Sequence, residues 1–401
     1  MRILVHDYGG YAFPFQLSLE LARRGHFVSH AFCADLVTTP PGVPEEGDEP
    51  INLSVDALSL GAPLQKYDFV TRWKQERAYG RLIADHAEAF GPDIVLSANT
   101  PLDAQRRLQA WCRGLRIPFV FWLQDMLGLA AHRILSARIP IAGNLIGRYY
   151  MRMERRLLAA STTVVAITPA FLPPLQDWGI EDARIQVIEN WAPLDRLSVR
   201  PKANAWSRRH GLDQTFNFLY AGTLGMKHNP ERLLALARET RDDEAVRVVV
   251  ASQAQGADWL RERAVAEGLR HLIVLPYQAV DDLPDLLAAG DVLVALLEAD
   301  AGLYSVPSKV MAYLCAERPL LLAVPAHNDA ARIVQQTESG LVVDPADAGG
   351  FIAAAQQLRA ATEQRRAMGI NARRYAEETF DPGRIADRFE SLLADAANPP
   401  A

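Results

Sequence analysis

The chain has 401 residues, of which 49% are hydrophobic and 22% charged, a composition typical of a folded globular protein rather than a disordered or fibrous one. Its length exceeds what one hydrophobic core accommodates and predicts two domains of about 200 residues each. The three cysteines, Cys33, Cys112 and Cys315, are far apart and form no Cys-x-x-Cys pair. This argues against a disulfide scaffold or a thiolate metal site and predicts a reducing, cytoplasmic location.

Charge is unevenly distributed along the chain. The formal net charge is -6, but residues 66–156 hold 15 Lys and Arg against 8 Asp and Glu, a local net charge of +7. This excess predicts an anionic partner for that part of the chain. No motif typical of DNA- or RNA-binding proteins accompanies the charge, so nucleic acid is not expected as a partner.

The first half of the chain alternates between short apolar runs and longer amphipathic stretches. It opens on an apolar strand, Ile3–Val5, that is followed by His6 and Asp7; this does not fit a signal peptide, and no apolar run is long enough to span a bilayer. Further strands are predicted at Val28–Phe32, Asp93–Ser97, Phe119–Leu123, Val164–Ile167 and Arg184–Ile188, and helices at Phe15–Arg24, Arg72–Phe90 and Leu102–Leu115. Strands separated by helices in this way predict a parallel sheet covered on both faces.

A polar break at residues 194–207 is the best candidate for a linker. Beyond it the pattern restarts, with strands predicted at Phe216–Tyr220, Val246–Ala251, Leu272–Leu275, Val292–Leu296, Leu320–Ala323 and Gly340–Val343, and a last helix at Pro382–Leu393. We therefore predict an α/β protein with two doubly wound domains, residues 1–195 and 196–381, and a C-terminal helix in residues 382–401 that packs back on the first domain. Ligands of such sheets bind beyond the carboxyl ends of the strands, so both domains are expected to present loops to a central cleft.

The segment after the first strand of the second domain has the features of a phosphate cradle. The strand runs into Gly222-Thr-Leu-Gly225-Met-Lys227, and Asn229-Pro-Glu then predicts a helix start with Asn229 as its N-cap. Small residues let the backbone approach a ligand, free amides at a helix start attract anions, and a lysine adds a full charge. Gly222-x-x-Gly225 alone is equally consistent with a plain strand-to-helix turn. The lysine favours phosphate binding.

A second helix start is predicted at Ser305-Val-Pro-Ser308-Lys309, with Ser305 as a cap. Its amides and the Ser308 hydroxyl are suited to a second phosphate. For Lys309, phosphate binding and a solvated surface position are equally consistent with the sequence.

Five segments in this order resemble glycosyltransferase family 4, in the form found in bacterial surface-polysaccharide enzymes. They are Gly9-Gly10, Leu21-Ala-Arg-Arg-Gly-His-Phe-Val28, Val187-Ile-Glu-Asn-Trp191, Ala221-Gly-Thr-Leu-Gly-Met-Lys227 and Val306-Pro-Ser-Lys-Val-Met-Ala-Tyr-Leu314. The sequence departs from the family pattern at three positions: Tyr304 and Ala312 stand where many members carry glutamates, and Thr223 where many carry arginine.

This resemblance implies a GT-B fold with two Rossmann-like domains and a retaining glycosyltransferase of class EC 2.4. It implies transfer of a sugar from a UDP- or GDP-linked donor to a saccharide acceptor, with no cofactor and no metal. Lys227 would neutralise the departing diphosphate. The donor would also contact Gly222, Thr223, Gly225, Ser305, Ser308 and Lys309. The absence of an Asp-x-Asp metal motif agrees with charge neutralisation by fixed cations and amides.

Other residues are interpreted through their position beside a strand end. The resemblance places Tyr277 and Gln278 against the nucleobase, although an ordinary turn explains them nearly as well. Asp125, just past a strand, is a candidate base or orienting group for the acceptor, with capping of the next helix as an alternative of comparable weight. The resemblance also implies that Gly9, Gly10 and Tyr11 bind the acceptor. A buried structural histidine is the more usual explanation for His6.

Residues 133–156 mix aliphatic residues, tyrosines and arginines, a composition that suits contact with an anionic membrane face. A core-packing helix with solvated arginines explains the same pattern. The positive excess favours a lipid-linked acceptor and peripheral binding at the inner face of the membrane.

Two other classes of function share the predicted architecture. A nucleotide-sugar epimerase would need acid/base carboxylates and histidines near the cradle, and few are present in the second domain. A non-catalytic sugar-binding protein is the third possibility.

Overall fold

A computed structural model describes residues 1–36, 50–64, 68–298 and 308–398. The chain divides into two compact units. Unit 1 comprises residues 1–190 together with the C-terminal segment from residue 382, and unit 2 comprises residues 191–381. The division falls five residues before the boundary predicted at residue 195.

Unit 1 is built on a seven-stranded sheet in which every neighbouring pair of strands is parallel. Its strands are β1 Arg2–Asp7, β2 Phe27–Cys33, β3 Leu53–Leu58, β4 Ile94–Ala98, β5 Phe119–Leu123, β6 Thr163–Ala166 and β7 Ile185–Val187. The strand order is β3-β2-β1-β4-β5-β6-β7, so β1 is flanked by β2 on one side and β4 on the other. The crevice for a ligand in such a sheet lies where the order reverses, at the carboxyl ends of β1 and β4.

Six α-helices lie in the described part of residues 1–190. They are α1 Ala12–Arg23, α2 Phe69–Phe90, α3 Leu102–Leu115, α4 Leu127–Arg138, α5 Pro140–Ala160 and α6 Leu172–Asp177. The local sequence sets the ends of the longest one: the Asp68 carboxylate accepts the first free amides of α2, and Gly91 ends it with φ +63°. Helices α4 and α5 pack against each other.

Unit 2 repeats the same arrangement with six strands. They are β8 Phe216–Ala221, β9 Val246–Ala251, β10 Leu272–Leu275, β11 Val292–Leu296, β12 Leu320–Ala323 and β13 Gly340–Val343. All neighbouring pairs are parallel, and the order is β10-β9-β8-β11-β12-β13. The first strand is again flanked by the second and the fourth, which places the equivalent crevice at the carboxyl ends of β8 and β11.

The helices of unit 2 are α7 Ala205–Arg209, α8 Glu231–Glu239, α9 Gln255–Glu267, α10 Leu283–Ala288, α11 Lys309–Cys315, α12 Asp329–Gln336, α13 Ala348–Ala360 and α14 Thr362–Thr379. The last helix, α15 Pro382–Ala397, belongs to unit 1. It packs there through the Phe389 ring, 4.7 Å from that of Trp122, and through an ion pair of 2.7 Å between Glu390 and Arg24.

The prediction of α/β architecture with parallel sheets is confirmed, and the strands β9 to β13 begin and end at the predicted residues. Strand β3 was not predicted. It is an edge strand, and only Leu53 of Leu53-Ser-Val-Asp-Ala-Leu58 is buried, so its sequence gives a weaker signal than the buried central strands.

Within the part of the chain that the structure describes, none of the helices combines the length and the apolar composition needed to cross a bilayer.

Candidate functional site

The crevice of unit 1 is organised by one buried carboxylate. Asp7, the last residue of β1, is fully buried and accepts hydrogen bonds from the backbone amides of Gly9 and Tyr11 and from Asn99 Nδ2, the last at 2.8 Å. Asn99 follows β4, and its φ of +53° turns the chain so that the side chain meets Asp7. Burial raises the pKa of Asp7 to about 7, even though these hydrogen bonds favour the charged form. Asp7 thus ties together the loops that follow β1 and β4.

The loop held by Asp7 contains the three predicted acceptor residues. Gly10 closes a turn with φ +62°, and its amide donates to the Asp7 carbonyl at 3.1 Å. A Cβ atom at Gly9 would collide with the Tyr11 ring, so glycine lets this aromatic side chain fold over the loop. Tyr11 remains 51% exposed. The loop therefore offers an accessible aromatic face beside a rigid backbone.

Beyond this loop lies a cavity of about 530 Å³ within unit 1. One part of its lining is aromatic: Tyr8, Tyr11, Phe69, Trp73, Phe121 and Trp122. Another part is polar: Arg72, Glu76, Asn99, Gln105, Gln124, Asp125 and Glu154. Aromatic faces with a few hydrogen-bonding groups at fixed positions are typical of pockets for small organic ligands.

Asp125 lines this cavity as an exposed residue just past β5. The alternative prediction was that Asp125 caps the following helix. The N-cap position is instead occupied by Met126, without a side-chain capping bond, and α4 begins at Leu127. Gly9, Tyr11 and Asp125 line one cavity, so the structure brings these predicted residues together.

Glu154 is a cavity residue that the sequence analysis missed. It comes from α5, is fully buried, and accepts the Gly128 amide at 2.9 Å in the first turn of α4. Burial raises its pKa to about 8 despite the nearby backbone amides, and its Oε1 has no hydrogen-bond partner among the described residues. The sequence did set Glu154 apart, because it is the single carboxylate between Asp125 and Asp177.

His6 has a structural role, which is the explanation that the sequence analysis favoured. It is fully buried, with Nδ1 3.0 Å from Ser97 Oγ and Nε2 3.2 Å from Tyr79 Oη. Burial lowers its pKa to about 3, so the imidazole is neutral near pH 7. These bonds connect β1 to β4 and to α2 directly beneath the Asp7 loop.

In unit 2 the equivalent strand end carries the predicted cradle. Strand β8 ends at Ala221, and Gly222 follows with φ +120°, a conformation that favours glycine. The Tyr313 hydroxyl accepts the Ala221 amide at 2.8 Å and donates to the Ala221 carbonyl at 2.9 Å. Tyr313 is buried on α11, so this one side chain fastens the end of β8 to the helix that begins at Lys309.

Lys309 lies against the cradle rather than in solvent. Its Nζ is 3.7 Å from the centroid of the Tyr220 ring, bonds the Tyr220 hydroxyl, and is 3.3 Å from the Thr223 carbonyl. Its side chain also passes over Gly222, where a Cβ would lie 3.3 Å from Lys309 Cε. The Lys309 side chain is therefore partly buried against the cradle, and phosphate binding by this lysine stays a prediction.

The predicted helix start after the cradle needs correction. Residues Met226–His228 form a 3₁₀ turn, Asn229 adopts φ +49°, and α8 begins at Glu231 with Pro230 at the cap position. The prediction of Asn229 as the N-cap is wrong, because the 3₁₀ turn is followed by Asn229 in the left-handed conformation and the N-cap moves one residue on, to Pro230. The amide of Gly225, predicted to face a phosphate, donates to His228 Nδ1 at 3.0 Å. His228 is a second residue that the sequence analysis missed.

The remaining predicted donor residues have different surroundings. Tyr277 is 44% exposed, and its hydroxyl is 2.5 Å from Thr223 Oγ1, which joins it to the cradle. Gln278 instead accepts the indole N–H of Trp206 at 3.0 Å. Ser308 is exposed and immediately precedes α11. Ser305 lies outside the described residues, and the Lys227 side chain is outside the described side chains.

Hydrogen bonds and close contacts thus join Gly222, Thr223, Tyr277 and Lys309 into one group, to which the sequence adds Gly225 and Ser308 as neighbours. No group of three His, Cys, Asp or Glu side chains among the described residues is placed to hold a metal ion.

Comparison with known proteins agrees with this architecture. Residues 13–191 match the model of the glycosyl transferase 4-like domain, and residues 203–375 match that of the glycosyl transferases group 1. The chain is 24% identical over 252 residues to the Escherichia coli K12 protein WcaI, named as a colanic acid biosynthesis glycosyl transferase. That alignment covers 62% of this chain and about 60% of the length of the curated relative.

Solved structures show the same fold at low sequence identity. Sucrose-phosphate synthase from Thermosynechococcus elongatus has a TM-score of 0.74 at 15% identity, covering 98% of both chains. Anabaena HepE in complex with UDP and glucose has a TM-score of 0.72 at 16% identity, covering 98% of this chain and all of HepE. WaaG, involved in lipopolysaccharide biosynthesis, has a TM-score of 0.68 at 17% identity, covering 98% and 99%.

These structural neighbours confirm the predicted GT-B fold. The two family matches are consecutive and cover most of the chain, which therefore belongs to glycosyltransferase family 4. The predicted resemblance to its bacterial surface-polysaccharide members is confirmed as well.

Proposed function

We propose that this protein is a retaining glycosyltransferase that moves a sugar from a nucleotide-sugar donor to a lipid-linked saccharide acceptor in bacterial surface-polysaccharide synthesis. The observation that carries the proposal is the position of Lys309, whose ammonium group lies on the Gly222–Thr223 backbone at the end of β8. That is where a doubly wound sheet binds its ligand.

The donor side requires a positive site for the leaving group. When the bond between the sugar and the diphosphate breaks, negative charge develops on the departing nucleoside diphosphate, and preorganised cations and amides stabilise that charge. Lys309 and Lys227 supply two cations from different segments, and Gly222 lets the backbone approach. HepE, which shares the fold, has been crystallised with UDP-glucose, which supports a nucleotide-sugar as the donor.

The acceptor side requires groups that bind hydroxyls. The aromatic part of the unit 1 cavity suits the apolar face of a sugar ring, and Asp125 is the exposed carboxylate that orients the acceptor hydroxyl. In the retaining reaction that we propose, the acceptor oxygen bonds to the anomeric carbon as the bond to the diphosphate breaks. The hydroxyl proton passes to a phosphate oxygen, with Asp125 as the alternative acceptor of that proton.

We propose that neither metal nor cofactor takes part, with Lys227 and Lys309 in the role that a divalent ion plays in other transferases. The expected result is unchanged sugar transfer in the presence of EDTA. Activity that is lost with EDTA and restored by manganese would contradict this part of the proposal.

Peripheral contact with the inner face of the membrane is also proposed. Phe69 at the start of α2 is 65% exposed, and Ile141 at the start of α5 is 83% exposed, both within the stretch of local positive charge. Exposed apolar side chains beside basic ones suit an anionic bilayer surface. Binding to anionic vesicles should weaken as salt is added, and equal binding to neutral vesicles would contradict it.

The test of the main proposal is a thermal-shift screen of UDP-, GDP- and ADP-sugars, followed by nucleotide release with polyprenyl-linked acceptors. One donor should stabilise the protein, and nucleotide release should require an acceptor. The Lys309→Met variant should fold normally but bind that donor on the order of ten to a hundredfold more weakly, because it loses a hydrogen-bonding charge. Conversion of the donor sugar without acceptor would indicate an epimerase, and binding without turnover a sugar-binding protein.

A further inference from the structure

A second cavity in unit 1, away from the Asp7 loop, is lined by arginines. It is a groove of about 390 Å³ between α3 and α5. Arg106 and Arg113 line it from α3, and Arg152 and Arg156 line it from α5. None of these four residues lines the cavity that contains Asp125.

Helical spacing explains why the arginines converge. Residues 106, 109, 110 and 113 recur every three or four positions on α3, and residues 145, 149, 152, 156 and 160 do so on α5. Side chains with this spacing share one face of a helix, so the two helices turn their basic faces toward the same groove. By contrast, Arg107 and Arg148 lie on the same helices but do not line the groove.

The positive charge of the groove is largely uncompensated. Arg106 lies 3.5 Å from the buried Asp103 carboxylate. Arg113, Arg152 and Arg156 form no ion pair within the described part of the chain, and no Asp or Glu is among the described residues that line the groove. Guanidinium groups bind phosphate oxygens in a bidentate manner, so this site is suited to a phosphate-bearing ligand.

One end of the groove is apolar, which indicates that the ligand has an apolar part as well as a phosphate. Leu145 lines the groove and is 66% exposed, and Ile141, one turn earlier on α5, is 83% exposed. Tyr149, also in the lining, is 47% exposed, and tyrosine is enriched where a protein meets the headgroup level of a bilayer. A ligand that satisfies both ends has an anionic head and an apolar tail.

We propose that the groove between α3 and α5 is a discrete binding site for the phosphate headgroup of an anionic phospholipid. The inference extends the proposed membrane contact by naming a specific lipid site, and it does not depend on the sugar-transfer activity. A specific site differs from diffuse attraction because it requires particular arginines rather than total charge.

The experiment compares two double variants with the same change in charge. Arg113→Glu/Arg152→Glu alters the groove, whereas Arg107→Glu/Arg148→Glu alters other faces of the same two helices. Binding to phosphatidylcholine vesicles with and without phosphatidylglycerol is measured by co-sedimentation. Circular dichroism and the thermal shift with nucleotide show whether each variant is folded, and glycerol phosphate serves as a soluble competitor.

The expected result is a loss of affinity for anionic vesicles of at least tenfold in the groove variant, with a change of less than threefold in the control variant. Equal losses in both variants would overturn the proposal in favour of diffuse attraction. Binding of glycerol phosphate that is lost in the groove variant, while that variant keeps its affinity for anionic vesicles, would overturn the lipid in favour of a soluble phosphate ligand. Failure of sugar transfer with normal vesicle binding would refute only the proposed function.

Discussion

The two units have the same strand order around their first strand, yet the groups at their strand ends differ in chemistry. In unit 1 the crevice is organised by the buried Asp7 and contains the carboxylates of Asp125 and Glu154. In unit 2 the corresponding position carries a glycine in an unusual conformation, a lysine and three tyrosines, Tyr220, Tyr277 and Tyr313. The sheets provide equivalent positions, and the loops determine what binds there.

This difference matches the two halves of a transfer reaction. Carboxylates orient and accept protons from hydroxyls, whereas lysine and exposed backbone bind phosphates. On this contrast we propose that unit 1 receives the acceptor and unit 2 the donor. Substitutions in the two units should therefore separate acceptor effects from donor effects.

The largest effect is expected from Lys227→Ala in unit 2. Removing a cation that stabilises the departing diphosphate should lower turnover by roughly 10² to 10³-fold, while the melting temperature stays unchanged. Steady-state transfer assays and differential scanning calorimetry measure the two quantities. Near-normal turnover would show that Lys309 and the backbone suffice without Lys227.

Asp125→Asn in unit 1 should lower turnover by on the order of 10²-fold, because the amide no longer accepts or orients the acceptor proton. Nucleotide affinity, measured by calorimetry, should not change. A weakened nucleotide affinity in this variant would contradict the assignment of the two units to acceptor and donor.

The buried Asp7 gives unit 1 a pH dependence that can be isolated. Burial raises the pKa of Asp7 from 3.8 to about 7 in the folded protein, so the folded state holds this proton more tightly than the unfolded state between those values. The contribution of Asp7 to the free energy of unfolding therefore falls as pH rises from about 4 to about 7.

Asp7→Asn removes this titration, so its free energy of unfolding should fall less steeply than that of the wild type over the same pH range. Urea unfolding at half-unit pH steps measures both curves, and other titrating groups, such as His6 and Glu154, are common to both proteins. Identical slopes would mean that Asp7 does not titrate in this range.

The smallest effect is expected from Tyr313→Phe. The ring stays in the core, but the strand end at Ala221 loses both hydrogen bonds that fix it to α11. Two lost bonds of about 1 kcal/mol each should raise the donor KM several-fold and leave the acceptor KM unchanged. An effect on the acceptor KM alone would contradict a role for Tyr313 in the donor site.

The physical properties of each element explain how much of the fold and of the candidate site was predictable from the sequence. Central parallel strands such as β11 and β12 are buried on both faces, so their continuous apolar runs predicted their limits well. Gly222 was predicted from local sequence, because phosphate sites use glycine, amides and lysine close together along the chain, whereas for Lys309 the sequence left phosphate binding and a solvated position equally open.

Other residues were not predictable because their role depends on contacts distant in sequence. Glu154 reaches the cavity by capping a helix that begins 27 residues earlier, and Tyr313 holds a strand end 92 residues away. The Asn229 prediction failed for a local reason, since a short 3₁₀ turn preceded the helix. Sequence patterns do not fix such turns to within two residues.

The most direct test is a crystal structure of the protein with bound UDP. The account predicts that the diphosphate lies within hydrogen-bonding distance of the Gly222–Gly225 backbone and of Lys309 Nζ, with no metal ion between them. A nucleotide bound in the unit 1 cavity, or bound only with manganese, would contradict it.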